Sequence, residues 1–333
     1  MADKRFLLSI DGGGIRGIIP ICALAALEKT TGRLTRDIFS FVAGTSTGAI
    51  ITAAIAAGIR AEDMLESYRT LAGKIFKKGP LSFPKRVVTG HLYSVATLKQ
   101  AISEQLGDKS GWVLNDCPVD VLISAKQFSN GKPWYLVRDK KGANYGMSGS
   151  FALVDCVAGS AAAPTFFEPL DVDHSKGWPP SVDALVDGGL GVTGNPVYQL
   201  CVEAFYYTDQ YDRSNSTVVS LGTGRFLRSG RPRWIWPWLQ WVLGELLESP
   251  GEQQTQLVQR HFKTVDLYRI DLNFTKLNPP LTRQISLDDT KSIDLLTNCG
   301  REFAATIDWN AILDASDRRW RVTDTNTEWD QYT

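Results

Sequence analysis

The pentapeptide Gly44-Thr45-Ser46-Thr47-Gly48 constrains this chain more than any other stretch. It fits G-x-S-x-G, in which a strand turns abruptly into a helix and lifts a serine hydroxyl clear of the sheet. A turn that tight brings backbone against backbone, and glycine two places before and two places after the serine leaves room for it. The flanks agree with the motif. Residues 38–43 read as a short buried strand, and residues 49–57 are small and apolar, reading as a helix that ends at Gly58. Ser46 is the candidate nucleophile.

A second glycine-rich turn lies upstream. Arg5 to Ile10 reads as a buried strand that empties into Asp11-Gly12-Gly13-Gly14-Ile15-Arg16-Gly17, with a helix over 18–28. Three successive glycines leave backbone N–H groups unobstructed at a helix N-terminus, suited to an anion or to the oxyanion of an acyl transfer. Arg16 adds a permanent positive charge. The same residues also spell G-x-G-x-x-G, the dinucleotide fingerprint, which wants an acidic residue at the end of the next strand. Asp37 has about the right spacing but precedes its strand, and that strand ends in the serine turn. The dinucleotide reading is the weaker of the two.

Further along, residues 60–75 read as a helix with acids in its first turn. Residues 74–86 hold five basic residues, two prolines and a glycine. They read as a solvated loop or as a basic flap that meets anionic headgroups. Helical spacing returns at 94–106, strand patterns follow at 119–124 and 132–138, and residues 151–163 are helical and small. The run 184–187 ends in Asp187-Gly188-Gly189, which makes Asp187 a base or an orienting residue, although Asp-Gly is also a common turn. A strand at 217–221 closes in Gly222-Thr223-Gly224 and lacks the Lys-Ser/Thr of a P-loop.

Four of the ten tryptophans fall between Trp234 and Trp241. Pro237 suits the first turn of a helix that presents Trp238 and Trp241 on one face and Leu239, Val242 and Leu243 on the other. Such a helix either packs in a core or oligomer contact or meets a membrane–water interface. Residues 292–321 read as helical, with a polar tail over 323–333.

A serine needs a general base. Of the three histidines, His261 follows Ser46 and Asp187 in the order of a Ser-Asp-His triad, but its polar, helical surroundings contain nothing to aim it. His91 and His174 sit in loops.

Bulk properties set the outer limits. The 36 basic and 36 acidic residues balance, so net charge argues for neither a nucleic-acid nor a polyanion partner, and no nucleic-acid polymer is expected. Five scattered cysteines without a C-x-x-C read as buried free thiols. The apolar run after Lys4 and Arg5 stops at Asp11, too short for a signal peptide, and nothing approaches the ~18 apolar residues of a membrane span. The expectation is a cytoplasmic protein.

Five blocks in order carry a resemblance: Asp11 to Gly17, Gly44 to Gly48, Ser160-Ala161-Ala162-Ala163-Pro164-Thr165-Phe166-Phe167, Asp187-Gly188-Gly189, and Ser220 to Gly224. Together they resemble the patatin-like phospholipases. The resemblance implies an α/β fold, a three-layer α/β/α sandwich with a mostly parallel central sheet, forming one acyl hydrolase domain over 1–333. It implies Ser46 as nucleophile and Asp187 as its base in a Ser-Asp dyad. The N–H groups of Gly12, Gly13 and Gly14 would form the oxyanion hole, with Arg16 supporting the loop. No metal or organic cofactor is implied. The expected partner is a phospholipid membrane, contacted peripherally at its inner surface. Some bacterial members resembling this chain are antiviral effectors switched on by a cyclic nucleotide, a role that no motif here carries. A homo-oligomer is compatible with the pattern. Residues 225–290, with their tryptophans, match none of the family's blocks and read as an insertion or cap. The alternatives are a soluble-ester hydrolase or thioesterase, and a storage or binding member with a vestigial dyad.

Overall fold

The computed structural model describes residues 4–75, 91–138, 148–226, 238, 251–281, 285–317 and 319–322. Its frame is an eight-stranded sheet. The strands are β1 (Arg5–Ile10), β2 (Phe39–Thr45), β3 (Asp120–Gln127), β4 (Pro133–Arg138), β5 (Leu170–Asp171), β6 (Ala184–Asp187), β7 (Ser216–Leu221) and β8 (Asp266–Ile270). Their order is β5-β6-β3-β2-β1-β7-β8, with β4 also paired to β3. The run β3-β2-β1-β7-β8 is parallel throughout, and the antiparallel pairs β3·β4, β3·β6 and β5·β6 complete one side.

Side-chain alternation along the strands feeds two faces. On β1 and β2, Leu8, Ile10 and Val42 join a core with α1 (Ile18–Thr31) and α4 (Ala61–Ile75). Leu7, Phe41 and Ala43 face the other way, against Val197, Leu200, Val258 and Phe262. A further core on the first face gathers α3 (Thr47–Ala57), α5 (Val95–Leu106) and α6 (Leu153–Ala161) over Val121, Ile123 and Ala125 of β3. Apolar residues on both faces are what a sheet covered by helices on each side requires. The fold is the expected three-layer α/β/α sandwich.

Several boundaries differ from the sequence reading. The small-residue helix is shorter than 151–163, spanning Leu153–Ala161 before the loop that contains Pro164. The C-terminal helix is two, Ile293–Ala304 and Trp309–Leu313, the second begun by Asp308, whose carboxylate accepts the N–H of Ala311. Strand β8 has no counterpart in the sequence reading, yet it lies inside 225–290 and pairs in parallel with β7. Apart from Trp238, which is helical and exposed, the tryptophan stretch and its expected faces lie outside the described residues, as do the basic residues at 77–86 and the tail at 323–333. Lys74 lies in the last turn of α4 and pairs with Glu104 at 2.5 Å. All five cysteines are free and buried. No described helix is long and apolar enough to cross a membrane.

Candidate active site

Sheet register brings Ser46 and Asp187 together. Thr45 at the end of β2 pairs with Ser124 of β3, and Asp187 at the end of β6 pairs with Ala125. Ser46 and Asp187 thus stand at one level on either side of β3, about 10 Å apart by strand spacing. Their side chains close that gap: Ser46 Oγ donates to Asp187 Oδ2 at 2.6 Å.

Ser46 holds φ 56° and ψ −120°, a conformation strained for any residue with a Cβ. The neighbours force it. A Cβ on Gly44 would strike the backbone of Gly48, and one on Gly48 would strike the Ile10 carbonyl. Only glycine at both places lets α3 start directly over the ends of β1 and β2. Ser160 of α6 locks the turn from the side, accepting the N–H of Ser46 at 2.9 Å and donating to the Ser124 carbonyl at 2.6 Å.

Asp187 is almost fully buried. Its second oxygen accepts the N–H of Gly189 at 2.7 Å. Burial pushes its carboxyl from 3.8 up to about 6, against the opposing pull of the Ser46 and Gly189 hydrogen bonds. It is therefore a stronger base than an exposed aspartate and still ionised at neutral pH.

The glycine loop lies against this pair: a Cβ on Gly12 would sit 3.2 Å from Ser46 Cβ. Nearly all of its backbone is engaged. Gly12 donates its N–H to the Gly194 carbonyl at 2.9 Å, and its own carbonyl accepts from Thr223 Oγ1 at 3.0 Å. The Gly13 carbonyl accepts the N–H of Arg16 at 3.1 Å, and the Gly14 carbonyl accepts the hydroxyl of Tyr68 at 2.6 Å. Ile15 donates its N–H to the Leu287 carbonyl at 2.9 Å. Among the described residues, the N–H groups of Gly13 and Gly14 alone in this triplet have no acceptor. The N–H of Gly12, expected with those of Gly13 and Gly14 to face an oxyanion, is here committed to the Gly194 carbonyl. Gly14 has φ +54°, and a Cβ there would meet the Leu287 carbonyl oxygen at 2.6 Å. Arg16 is buried, and its Nη1 donates to the Gly224 carbonyl at 3.2 Å, tying the far end of the loop to the end of β7.

Several residues that hold the site carried no legible signal. Tyr68 of α4 bridges Thr47 at 2.7 Å and Gly14, and burial pushes its hydroxyl up to about 12, so it stays a donor. Arg269 of β8 forks onto Asp11, Nη1 to Oδ1 at 3.0 Å and Nη2 to Oδ2 at 2.6 Å, and reaches Ser220 Oγ at 2.8 Å. Asp271 accepts the N–H of Gly224 at 2.9 Å and lies 3.4 Å from Arg269. Tyrosine and arginine within amphipathic patterns look like ordinary surface residues until the fold converges them.

The histidines lie elsewhere. His261 Nδ1 meets the Tyr198 hydroxyl at 3.0 Å, His174 meets the Trp178 carbonyl at 3.3 Å, and His91 lies 3.2 Å from Glu168. A triad through His261 is not formed, and the atom within reach of Ser46 Oγ is an Asp187 oxygen. Asp37 sits in α2 (Thr35–Ile38), ahead of β2, where it cannot serve a ribose. Among the described residues no group of three His, Cys, Asp or Glu converges to hold a metal.

The family model described as patatin-like phospholipase matches residues 8–200. A protein of Vibrio cholerae serotype O1 described as a cGAMP-activated phospholipase is 28% identical over 337 residues, covering 90% of each chain. An intracellular phospholipase A2 of Caenorhabditis elegans is 26% identical over 319 residues, or 88% of this chain and 27% of its own length. Patatin group M-1 of Solanum tuberosum is 29% identical over 237 residues, or 66% of this chain and 60% of its own. The chain thus spans most of the first relative and under two-thirds of the other two. With the family model covering more than half of its residues, the chain belongs to the patatin-like phospholipase family.

Proposed function

We propose that this protein is a lipid acyl hydrolase that cleaves fatty acyl esters of membrane phospholipids through Ser46 and Asp187. The observation that carries the reading is the 2.6 Å bond from Ser46 Oγ to a buried carboxylate, made by a serine held at φ 56°. Asp187 takes the hydroxyl proton as Ser46 attacks the ester carbonyl. The oxyanion that forms accepts the N–H groups of Gly13 and Gly14, each contributing roughly 3 kcal/mol in such sites. Asp187 then returns the proton to the departing lysophospholipid oxygen. A water, deprotonated by the same carboxylate, releases the fatty acid from Ser46. The charge of Arg16 lies behind the loop and supports it without touching substrate.

A finer part of the proposal is that a cyclic nucleotide switches the activity on, as the name of the Vibrio cholerae relative suggests for that protein. The activity would then meet its substrate at the membrane surface, with the protein bound peripherally.

Purified protein incubated with phospholipid liposomes, with and without a panel of cyclic dinucleotides, tests both parts through fatty acid release. Release lost in Ser46→Ala supports the hydrolase, and release that needs one nucleotide supports the switch. Hydrolysis that persists in Ser46→Ala overturns the dyad.

A further inference from the structure

The catalytic groups occupy the C-terminal ends of the parallel strands. At the opposite edge of the same sheet lies a separate cleft of about 460 Å³, a volume suited to a small molecule. It opens where β1, β2 and β3 begin, about 20 Å from the glycine loop by the length of β1.

The cleft is strongly basic. Lys4, Arg5, Arg33, Arg36 and Arg138 line it, against the carboxylates of Asp37 and Asp120, an excess of three positive charges. The protein as a whole has no net charge, so this excess is a local concentration. One ion pair forms the floor: Asp120 accepts Arg138 Nη1 at 2.5 Å and the Tyr211 hydroxyl at 2.7 Å, with both side chains of the ion pair 6% exposed. That leaves Lys4, Arg5, Arg33 and Arg36, of which Arg36 also donates Nη1 to the Ala56 carbonyl at 3.5 Å. Arg36 is 3.9 Å from the Asp37 carboxylate, Lys4 is 3.9 Å from Asp266, and Arg33 donates to the backbone carbonyl of Asp37. Arg5 is exposed and makes no ion pair among the described residues. Guanidinium groups clustered with little counter-charge match phosphate oxygens, which they bind in pairs. The half-buried ring of Phe6 also lines the cleft, with Lys4 Nζ over it at 5.7 Å.

We propose that this cleft binds a soluble phosphodiester of the cyclic dinucleotide class and is the regulatory site; this rests on the nucleotide-switched reading above. Position selects the soluble ligand over a lipid headgroup. When Ser46 faces a bilayer, the opposite edge of the sheet faces away from it, so the cleft cannot engage the same membrane. The cleft is also too far from Ser46 to be a substrate subsite.

The test uses the full chain and fluorescent cyclic dinucleotides, with pyrophosphate as competitor and anionic liposomes as the headgroup arm. Arg5→Glu and Arg33→Glu should each weaken nucleotide binding roughly tenfold, the double variant more, and binding should fall steeply with salt. Thermal melts that match those of the wild-type chain check that these variants fold. Nucleotide that activates hydrolysis with undiminished affinity for the double variant overturns the site and leaves the switch standing. Pyrophosphate binding that the double variant loses, with no nucleotide affecting hydrolysis, keeps an anion site and overturns its regulatory role. Binding of neither nucleotide nor pyrophosphate overturns the proposal, as does charge reversal that impairs only liposome binding.

Discussion

Arg269 and Asp11 stand 258 positions apart, yet Nη2 of one lies 2.6 Å from Oδ2 of the other. Asp11 is the residue through which β1 passes into the glycine loop, and Arg16 closes the same loop onto Gly224, which Asp271 holds beside Arg269. The loop is clipped at both ends to the tips of β7 and β8. Preorganised donors are effective only if the backbone carrying them does not relax. Arg269 is therefore expected to act as a positioning residue.

Arg269→Gln should lower kcat about tenfold on a short ester with little change in KM, and should destabilise by roughly 3–5 kcal/mol because Asp11 is left buried and unpaired. Asp11→Asn combined with Arg269→Gln should recover much of the stability but not the kcat. Steady-state kinetics beside urea melts separate the two effects. A kcat that follows stability back to normal would reduce Arg269 to a structural role.

Ser160→Ala should act on the serine turn. It removes the acceptor of the Ser46 N–H, which is partly buried, and the donor to the buried Ser124 carbonyl. Buried groups left unsatisfied cost about 1–3 kcal/mol each. The φ of Ser46 is then held by fewer contacts, so fluorophosphonate labelling of Ser46 should slow by roughly tenfold. Thermal melts and labelling rates measured on the same preparation check it, and unchanged labelling would show that Gly44 and Gly48 suffice to fix the turn.

The contrast between Ser46 and Arg269 explains what was legible in the sequence. Ser46 and the glycines announce themselves because backbone geometry restricts those places to particular residue types, and that restriction is local. Asp187, at the end of a regular strand, was assigned as the base only through the resemblance. The apolar runs that form β1, β2 and β7 are likewise local, whereas the sandwich was implied only by the resemblance of the five blocks. Arg269 and Tyr68 act through partners far away in the chain, so nothing near them in sequence marks them. Gly12 illustrates the reverse: its N–H is committed to Gly194 by a loop whose path no pattern encodes. Strand β8 was missed because Asp266-Leu267-Tyr268-Arg269-Ile270 is short and carries two charges, one of which, Arg269, meets partners as distant as Asp11 and Ser220.

Gly14→Ala should be more damaging than an ordinary loop substitution. Its φ of +54° disfavours any Cβ, and that atom would lie 2.6 Å from the Leu287 carbonyl oxygen. The Leu287 carbonyl also receives the N–H of Ile15, so it cannot retreat without loosening the loop. Displacing one of two oxyanion donors costs about 10²–10³ in kcat. Kinetics on a short ester, with KM unchanged and kcat reduced by that factor, is the expected result, and a kcat within twofold of wild type would exclude Gly14 as a donor.

Asp187 links pH to both activity and stability. Its carboxyl is raised from 3.8 to about 6 by burial, so kcat/KM should rise with pH and reach half its plateau near 6. The sign for folding is the opposite. A carboxyl raised in the folded state holds its proton there more tightly than in the unfolded chain. The stabilisation this gives is complete below about pH 4, is lost as pH climbs through 6, and is absent above it. At pH 8 the buried charge costs roughly 3 kcal/mol at about 1.4 kcal/mol per tenfold change in proton affinity. Asp187→Asn removes that charge while keeping an acceptor for Ser46. It should abolish activity by roughly a thousandfold and yet raise stability at pH 8 by up to that amount. The gain should shrink toward zero at pH 4, where the wild-type carboxyl is itself neutral. Urea melts of both proteins at the two pH values decide the matter, and a variant that is less stable at pH 8 would mean that the carboxylate is stabilised by its hydrogen bonds more than burial penalises it.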